Sequence, residues 1–103
     1  MRAYVSLTVF SLFLRVSAWN KCYCTGSDKA VADTTANTCC TDGDGVSFPH
    51  TTGDVKGRWD SSNKICVFSG QVLSQNSEND ATAAFAACCR PTGGSTIWGG
   101  ACS

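Results

Sequence analysis

The first apolar stretch of the chain is the run Tyr4–Leu14. A membrane-spanning helix needs about 20 apolar residues. This run is shorter, and Arg15 ends it. The small residues at positions 16–18 are typical of a signal-peptide cleavage site. We therefore expect residues 1–18 to be a secretory signal peptide and residues 19–103 to form a single secreted domain.

Two patterns follow one another after residue 18. In Trp19–Thr25 the residues Trp19, Lys21 and Tyr23 alternate with Asn20, Cys22 and Cys24, a period of two that predicts a strand with its cysteines on one face. Helical spacing then predicts a helix over Asp28–Cys40, with Ser27 or Asp28 as its N-cap. The residues that define the buried face of this helix recur every fourth position and are Ala32, Ala36 and Cys40.

The middle of the chain is richer in turn residues. Asp42–Gly45 has the composition of a turn, and Val46–His50 is predicted to be a short strand that Pro49 confines to an edge or a bulge. The polar stretch Thr51–Asn63 is interpreted as a loop or an irregular hairpin. The β-rich run Ile65–Ser69 is the clearest strand signal.

The C-terminal third predicts one helix and one strand. Ser77–Asp80 resembles a capping box, and Pro91 together with Gly93–Gly94 is expected to stop the helix that it opens. Ser95–Ser103 is predicted to be a final strand with Trp98 in the core. The resulting fold class is α+β, with two helices on one face of an antiparallel sheet of about four strands, the split β-α-β or ferredoxin-like arrangement.

Cysteine content supplies the expected source of stability. All eight cysteines follow residue 18, and an even number in a short secreted chain predicts four disulfides. Each one contributes roughly 2–4 kcal/mol to a domain that is marginal without them. The sequence leaves their pairing open. On each helix, one cysteine of a doublet is expected to bond into the sheet and the other to a strand end or terminus. The eight are Cys22, Cys24, Cys39, Cys40, Cys66, Cys88, Cys89 and Cys102.

Metal binding and cofactors are not expected. Zinc sites use C-x2-4-C pairs, whereas this chain has one C-x-C pair and two adjacent doublets, with His50 as its single histidine. The string Asp42–Gly45 resembles a calcium loop in composition, but the twelve-residue ligand spacing and the closing glutamate are missing.

Charge gives little indication of a partner. Without Arg2 and Arg15 the eight basic residues fall to six against eight acidic ones, so the domain carries a net charge near −2. A basic stripe with interleaved aromatic residues is missing, so nucleic acid is not an expected partner. Docking on anionic lipid by charge alone is not expected either.

The sequence contains few candidates for catalytic residues. His50 has no carboxylate near it in the sequence and is interpreted as a surface residue at a strand end. A carboxylate pair could support glycoside hydrolysis, but the acids of the middle segment fall at turns, where aspartate serves local hydrogen bonding. Those acids are Asp42, Asp44, Asp54 and Asp60. We therefore expect a protein that is not an enzyme.

The best candidate for partner recognition is the segment around Trp59. Lys56 and Arg58 lie beside this tryptophan and together could engage a carboxylate, a sugar ring or a protein surface. The alternative is that Trp59 packs on the sheet and completes a small core. The expected partner is a host extracellular protein or wall component, bound by a monomer.

Several segments together resemble small secreted cysteine-rich proteins of fungi, and more narrowly the KP-six class of smut killer toxins and the effectors thought to share its fold. The resemblance covers nearly all of residues 19–103. It implies secretion and a virulence-associated function at the boundary with a host, in the apoplast for a plant host, or with a competitor. The segments that carry it are Cys22–Thr25, Thr38–Cys40, Asn63–Phe68, Phe85–Cys89 and Gly100–Cys102.

The chain also departs from that class. Killer toxins are cut at dibasic sites, and this sequence has no adjacent basic pair, so killer activity is not implied. A membrane-active killer or antimicrobial toxin remains the alternative to an effector, and a hydrolase is the weakest hypothesis. A hydrophobin-like surface protein is a further alternative. Hydrophobins order their cysteines single, double, single, single, double, single, whereas this chain begins with two singles.

The mass of the secreted protein tests this interpretation. Expression of the full chain in a eukaryotic host should yield a protein that begins at Trp19 and lacks eight hydrogens, because four disulfides have formed. Intact-mass spectrometry before and after reduction measures both. Free thiols or a bound metal would contradict a secreted, disulfide-stabilised domain.

Overall fold

The computed structural model describes residues 19–103, and the predicted signal peptide lies outside the described residues. Within this range the chain forms six strands and three helices. The strands are β1 (Lys21–Gly26), β2 (Val46–Ser47), β3 (Asp54–Val55), β4 (Arg58–Asp60), β5 (Ile65–Val67) and β6 (Ile97–Cys102). The helices are α1 (Lys29–Thr41), α2 (Gln71–Gln75) and α3 (Glu78–Gly93).

One four-stranded antiparallel sheet organises the fold. Its strand order is β4-β5-β1-β6. Strand β5 therefore lies between β1 and β4, which are the strands of this sheet that come before and after α1 in the chain. Helix α3 connects β5, through the short α2, to β6, which pairs with the other side of β1. This is the split β-α-β arrangement, and the predicted α+β class with two long helices on one sheet is confirmed.

Local capping signals in the sequence set where both long helices begin. The Asp28 carboxylate accepts the N–H groups of Ala30 and Val31 at 3.1 and 3.3 Å, which satisfies donors that the first turn of α1 leaves free. At the start of α3, Ser77 and Asp80 form a reciprocal capping box. Both predicted helix starts are confirmed.

The outer strand of the main sheet is not the one that the sequence predicted. Val46–His50 is a strand only over its first two residues, and these pair with β3 in a separate two-stranded sheet. The stretch Thr51–Asn63, interpreted as a loop or an irregular hairpin, contains β3 and β4, and β4 is an edge strand of the main sheet. Its polar sequence has weak strand propensity, so pairing with β5 determines its conformation.

The predicted end of the last helix at Pro91 and Gly93–Gly94 is confirmed: α3 includes Pro91 and ends at Gly93, and Gly94 donates its N–H to Arg90 O at 3.2 Å. Pro91 has no N–H, so the last turns of the helix give up one hydrogen bond, to the carbonyl of Ala87. The stretch interpreted only as polar before Ser77 contains the short helix α2, whose Val72 is buried.

All eight cysteines are paired in four disulfides. The pairs are Cys22–Cys102, Cys24–Cys89, Cys39–Cys88 and Cys40–Cys66. One cysteine of each doublet bonds into the sheet, as predicted. The expectation that the other reaches a strand end or terminus is wrong: those two cysteines bond to each other and join α1 to α3, because the two helices pack side by side.

The largest core side chains form a chain of aromatic contacts. Phe68 contacts Trp19, Phe48 and Phe85, with ring centroids 6.0, 5.2 and 6.2 Å apart. Trp19, which the sequence left between core and surface, is 1% exposed, and its indole N–H donates to Asn76 O at 2.8 Å. These four rings account for much of the apolar area that the core buries, because the buried residues of α1 are small and bury little.

Trp98 was predicted in the core, and this prediction is wrong because 68% of the residue is exposed. Thr25 pairs with Gly99 and Gly26 with Ile97, so Trp98 has no partner on β1 and is the extra residue of a β-bulge. A bulge changes the direction of the side chain that it carries. Gly26 permits this geometry, since a Cβ atom there would overlap the Thr96 carbonyl oxygen.

The disulfides should differ in their sensitivity to reductant. Cys88 is half-buried, whereas the other seven cysteines are buried, so Cys39–Cys88 is the bond that a reductant reaches first. Brief treatment with a phosphine reductant, alkylation and peptide mapping should label Cys39 and Cys88 before any other pair. First labelling of Cys40 and Cys66, both fully buried, would contradict the expected order.

Candidate functional site

The segment that the sequence favoured for recognition does not form one patch. Arg58 pairs with Val67 and Trp59 pairs with Cys66, and successive residues of a strand point to opposite faces. Trp59 therefore lies on the helix-bearing face and packs against the core, as the alternative interpretation predicted. Arg58 lies on the opposite face, and Lys56 is exposed before β4.

Close packing against a disulfide fixes the position of this segment. Gly57 donates its N–H to Cys40 O at 2.9 Å, at the end of α1. A Cβ atom at Gly57 would overlap the sulfur atoms of Cys66 and Cys40, so only glycine allows the chain to approach this bridge so closely. Trp59, two residues later, is thus held against α1.

A groove lies at the end of the sheet where β1 finishes and β5 and β6 begin. Tyr23, 39% exposed, and the bulge residue Trp98 both line this groove. Its volume is about 440 Å³, within the range of roughly 300–1,000 Å³ that is usual for ligand sites. These two are the only large hydrophobic side chains exposed among residues 19–103, and they share one site.

Polar side chains line the other walls of this groove, which we call the Trp98 groove. Helix α1 contributes Lys29 and Asp33, which form an ion pair of 2.9 Å. The turn between β4 and β5 contributes Asn63 and Lys64. The site therefore combines two aromatic rings with a carboxylate, an amide and two ammonium groups.

Asp60 holds the β4–β5 turn in one conformation. Its carboxylate accepts the N–H groups of Ser62 and Asn63 at 3.0 and 3.2 Å, and the Asn63 side-chain amide at 2.9 Å. The amide of Asn63 above all holds the pKa of Asp60 below its ordinary value of 3.8. Lys64 ends the turn at φ 59°, and its N–H donates to Asp60 O at 2.8 Å. Asn63 and Lys64 are consequently presented on a fixed turn.

A second groove adjoins the first. It lies between α1 and the β4–β5 hairpin, has a volume of about 330 Å³, and is lined by Trp59, Thr34 and Asn37 among others. Asp33 and Lys64 line both grooves, so the two meet there. We call this neighbour the Trp59 groove. An extended ligand could contact Trp98 at one end and Trp59 at the other.

The single histidine is placed at the start of α3. His50 Nε2 lies 3.6 Å from Asp80 Oδ2, and 62% of its side chain is exposed. The Ser77 backbone N–H, which donates to Asp80 at 3.0 Å, is the main cause that lowers the pKa of Asp80, with smaller contributions from the Ser77 hydroxyl and His50. This carboxylate is engaged in capping the helix.

Three sulfur atoms come close enough to suggest a metal site. The Sγ atoms of Cys24, Cys39 and Cys89 lie within 4.8 Å of one another. Each is bonded in a disulfide, so none provides the thiolate that a metal ligand requires. Their proximity reflects the packing of two bridges between α1, α3 and β1.

Most residues of the Trp98 groove were not predicted from the sequence to belong to a site. Tyr23 was placed on a strand and Trp98 in the core, while Lys29, Asp33 and Asn63 carried no assignment. The sequence signal for the exposure of Trp98 is the Gly99–Gly100 pair that follows it. A Cβ atom at Gly99 would approach Ala86 and Arg90 of α3, and a Cβ atom at Gly100 would approach Ala86 and Cys89. Two glycines after a tryptophan are typical of irregular strand geometry.

Comparison of the chain with models of protein families, with curated proteins and with solved structures found no match. Of the helices formed by residues 19–103, none is long and apolar enough to cross a membrane. The four disulfides are consistent with an extracellular protein.

Acid should weaken the start of α3. Because the pKa of Asp80 is lower in the folded protein, its stabilising contribution is complete above the ordinary value of 3.8 and is lost as the pH falls through the lowered pKa. Asp80→Asn should therefore flatten the decline of the free energy of unfolding between about pH 5 and pH 2. Urea unfolding across this range, with the disulfides intact, measures it.

Asp54→Asn serves as the control, since it removes the same charge from an exposed position on β3. An Asp80→Asn variant with the same acid dependence as the wild-type protein would show that the charge of Asp80 contributes nothing to stability.

Proposed function

We propose that this protein is a secreted, non-enzymatic fungal effector that binds an extracellular target of a host or competitor through the Trp98 groove. The observation that carries the proposal is the exposure of Trp98, 68%, in a domain whose other tryptophans pack in or against the core. Small domains need their large aromatic residues for burial. A tryptophan kept out of the core is therefore available to a partner.

The surroundings of Trp98 support a binding site. The ring is carried by a bulge on β6, a strand cross-linked to β1 by Cys22–Cys102, so its backbone has little freedom to lose on binding. Tyr23 lies in the same groove. Tryptophan and tyrosine are among the residues enriched at the energetic centres of protein interfaces.

Four of the eight acidic side chains of residues 19–103 are engaged in structural contacts, which supports a function without catalysis. Asp60 holds a turn, Asp80 and Asp28 cap helices, and Asp33 pairs with Lys29. A general acid or base needs a carboxylate that is free to exchange a proton with substrate. Each of these four serves the structure or an ion pair.

Secretion by a fungus is proposed on the sequence features together with the fold. The predicted signal peptide and the resemblance to killer-toxin-like effectors point to an extracellular fungal protein. The four disulfides form and persist in oxidising compartments.

Genetic complementation tests the proposal. Deletion of the gene in the source fungus should reduce colonisation of its host or growth against a competitor. A wild-type copy and a Lys21→Ala copy should restore the phenotype, because Lys21 is exposed and lines neither groove. A Trp98→Ala copy should not restore it, although its secreted level and intact mass should match those of the wild type. Full restoration by Trp98→Ala would refute the assignment of the groove.

The toxin alternative makes a different prediction. A membrane-active protein should release dye from phosphatidylcholine and phosphatidylglycerol vesicles at micromolar concentration. We expect no release, since the domain has a net charge near −2. Release that depends on Trp98 would replace the effector proposal with the toxin.

A further inference from the structure

We propose that the Trp98 and Trp59 grooves together bind an uncharged carbohydrate chain, such as a neutral wall polysaccharide. This inference rests on the proposed function and specifies the chemical class of its ligand. Three features of the described residues carry it: aromatic rings at both ends, fixed hydrogen-bonding groups between them, and near neutrality of the lining.

The aromatic rings suit pyranose sugars. One face of a pyranose carries several C–H groups, which are weakly positive and pack against the electron-rich face of an aromatic ring. Trp98 and Tyr23 offer such rings in the first groove, and Trp59 in the second. A sugar ring stacked on Trp98 would cover apolar surface that is now exposed to water.

The polar groups between the rings suit hydroxyl groups. A carboxylate accepts, an ammonium donates, and an amide does both, so neighbouring sugar hydroxyls can donate to one group and accept from another. Asp33 and Lys64 line both grooves, and Asn63 lies beside Lys64 on the turn that Asp60 fixes. The ligand thus meets hydrogen-bonding partners that are already ordered, which reduces the entropy cost of binding.

The charges of the lining favour a neutral ligand over an anionic one. Asp33 already neutralises Lys29, which leaves Lys64 as the one charged side chain of the two grooves without an ion pair within residues 19–103. A polyanion or an anionic membrane is recognised by clustered cations. One unpaired ammonium group carries too little charge to hold a polyanion, but it can donate a hydrogen bond to a hydroxyl group.

The position of the grooves favours a sugar chain over a peptide. Extended peptides usually add to the free edge of a sheet, where main-chain groups are unpaired. The Trp98 groove instead crosses the end of the sheet, from α1 to the start of β5, and of the edge strand β6 only Trp98 lines it. The Trp59 groove continues it between α1 and the hairpin, so the combined site accommodates a chain of several rings.

The test is a titration of residues 19–103, secreted and oxidised, with hexasaccharides of five neutral types: chitin, β-1,3-glucan, cellulose, xylan and mannan. Nuclear magnetic resonance resolves the three indole N–H signals of Trp19, Trp59 and Trp98. At least one sugar should shift the Trp98 and Trp59 signals and leave that of Trp19, which is buried and bonded to Asn76, unchanged.

Variants define the contribution of each wall. Trp98→Ala should weaken binding of that sugar by about tenfold or more, the effect expected of a central aromatic contact. Asp33→Asn should weaken it less, because an amide still accepts one hydrogen bond. Lys21→Ala, at an exposed position outside both grooves, should bind as the wild type does. Far-ultraviolet circular dichroism confirms that each variant is folded.

Each remaining outcome overturns the inference. No shift with any of the five sugars, binding that Trp98→Ala leaves unchanged, or binding only to a sulfated polysaccharide or a peptide would each refute a neutral carbohydrate site. If sugars fail to bind while Trp98→Ala still fails to restore the fungal phenotype, the effector proposal stands and its target is another molecule. If sugar binds but the Trp98→Ala copy fully restores the phenotype, the carbohydrate site stands and the effector function of the groove is refuted.

Discussion

Covalent bonds between helices and sheet are the constraint on which this fold depends. The buried residues of α1 are Ala32, Thr35, Ala36 and two cysteines, a surface too small to hold a helix by apolar burial alone. Cys40–Cys66 ties α1 to β5, Cys24–Cys89 ties α3 to β1, and Cys39–Cys88 joins the helices. The bonds also constrain the unfolded chain, so their absence would favour unfolding directly.

The same bonds let the protein keep a tryptophan outside its core. Phe68 and the three aromatic rings around it fill the interior beside α2 and β2. With helices and sheet already cross-linked, Trp98 is not needed for burial and can be displayed by the bulge on β6. Stability and the proposed recognition thus depend on different residues of this small domain.

The Trp98 groove is assembled from segments distant in the sequence. Tyr23 comes from β1, Asp33 from α1, Lys64 from the β4–β5 turn and Trp98 from β6. Each is positioned by a separate local device: strand pairing, the Asp28 cap, the Asp60 turn and the bulge. Because these devices are rigid, the groove exists before any ligand arrives, which is the condition under which few contacts can give useful affinity.

Features encoded by neighbouring residues could be predicted from the sequence alone. The caps at Asp28 and Ser77, the strand at Ile65 and the participation of all cysteines in disulfides depend on short-range hydrogen bonding or on composition, and the α+β class follows from their order. Features that depend on distant partners could not be predicted. Pairing with β5 makes Arg58–Asp60 a strand, and the contact between the two helices joins Cys39 to Cys88. A register shift against β1 turns Trp98 outward, since a strand's alternation predicts orientation only while its pairing is regular.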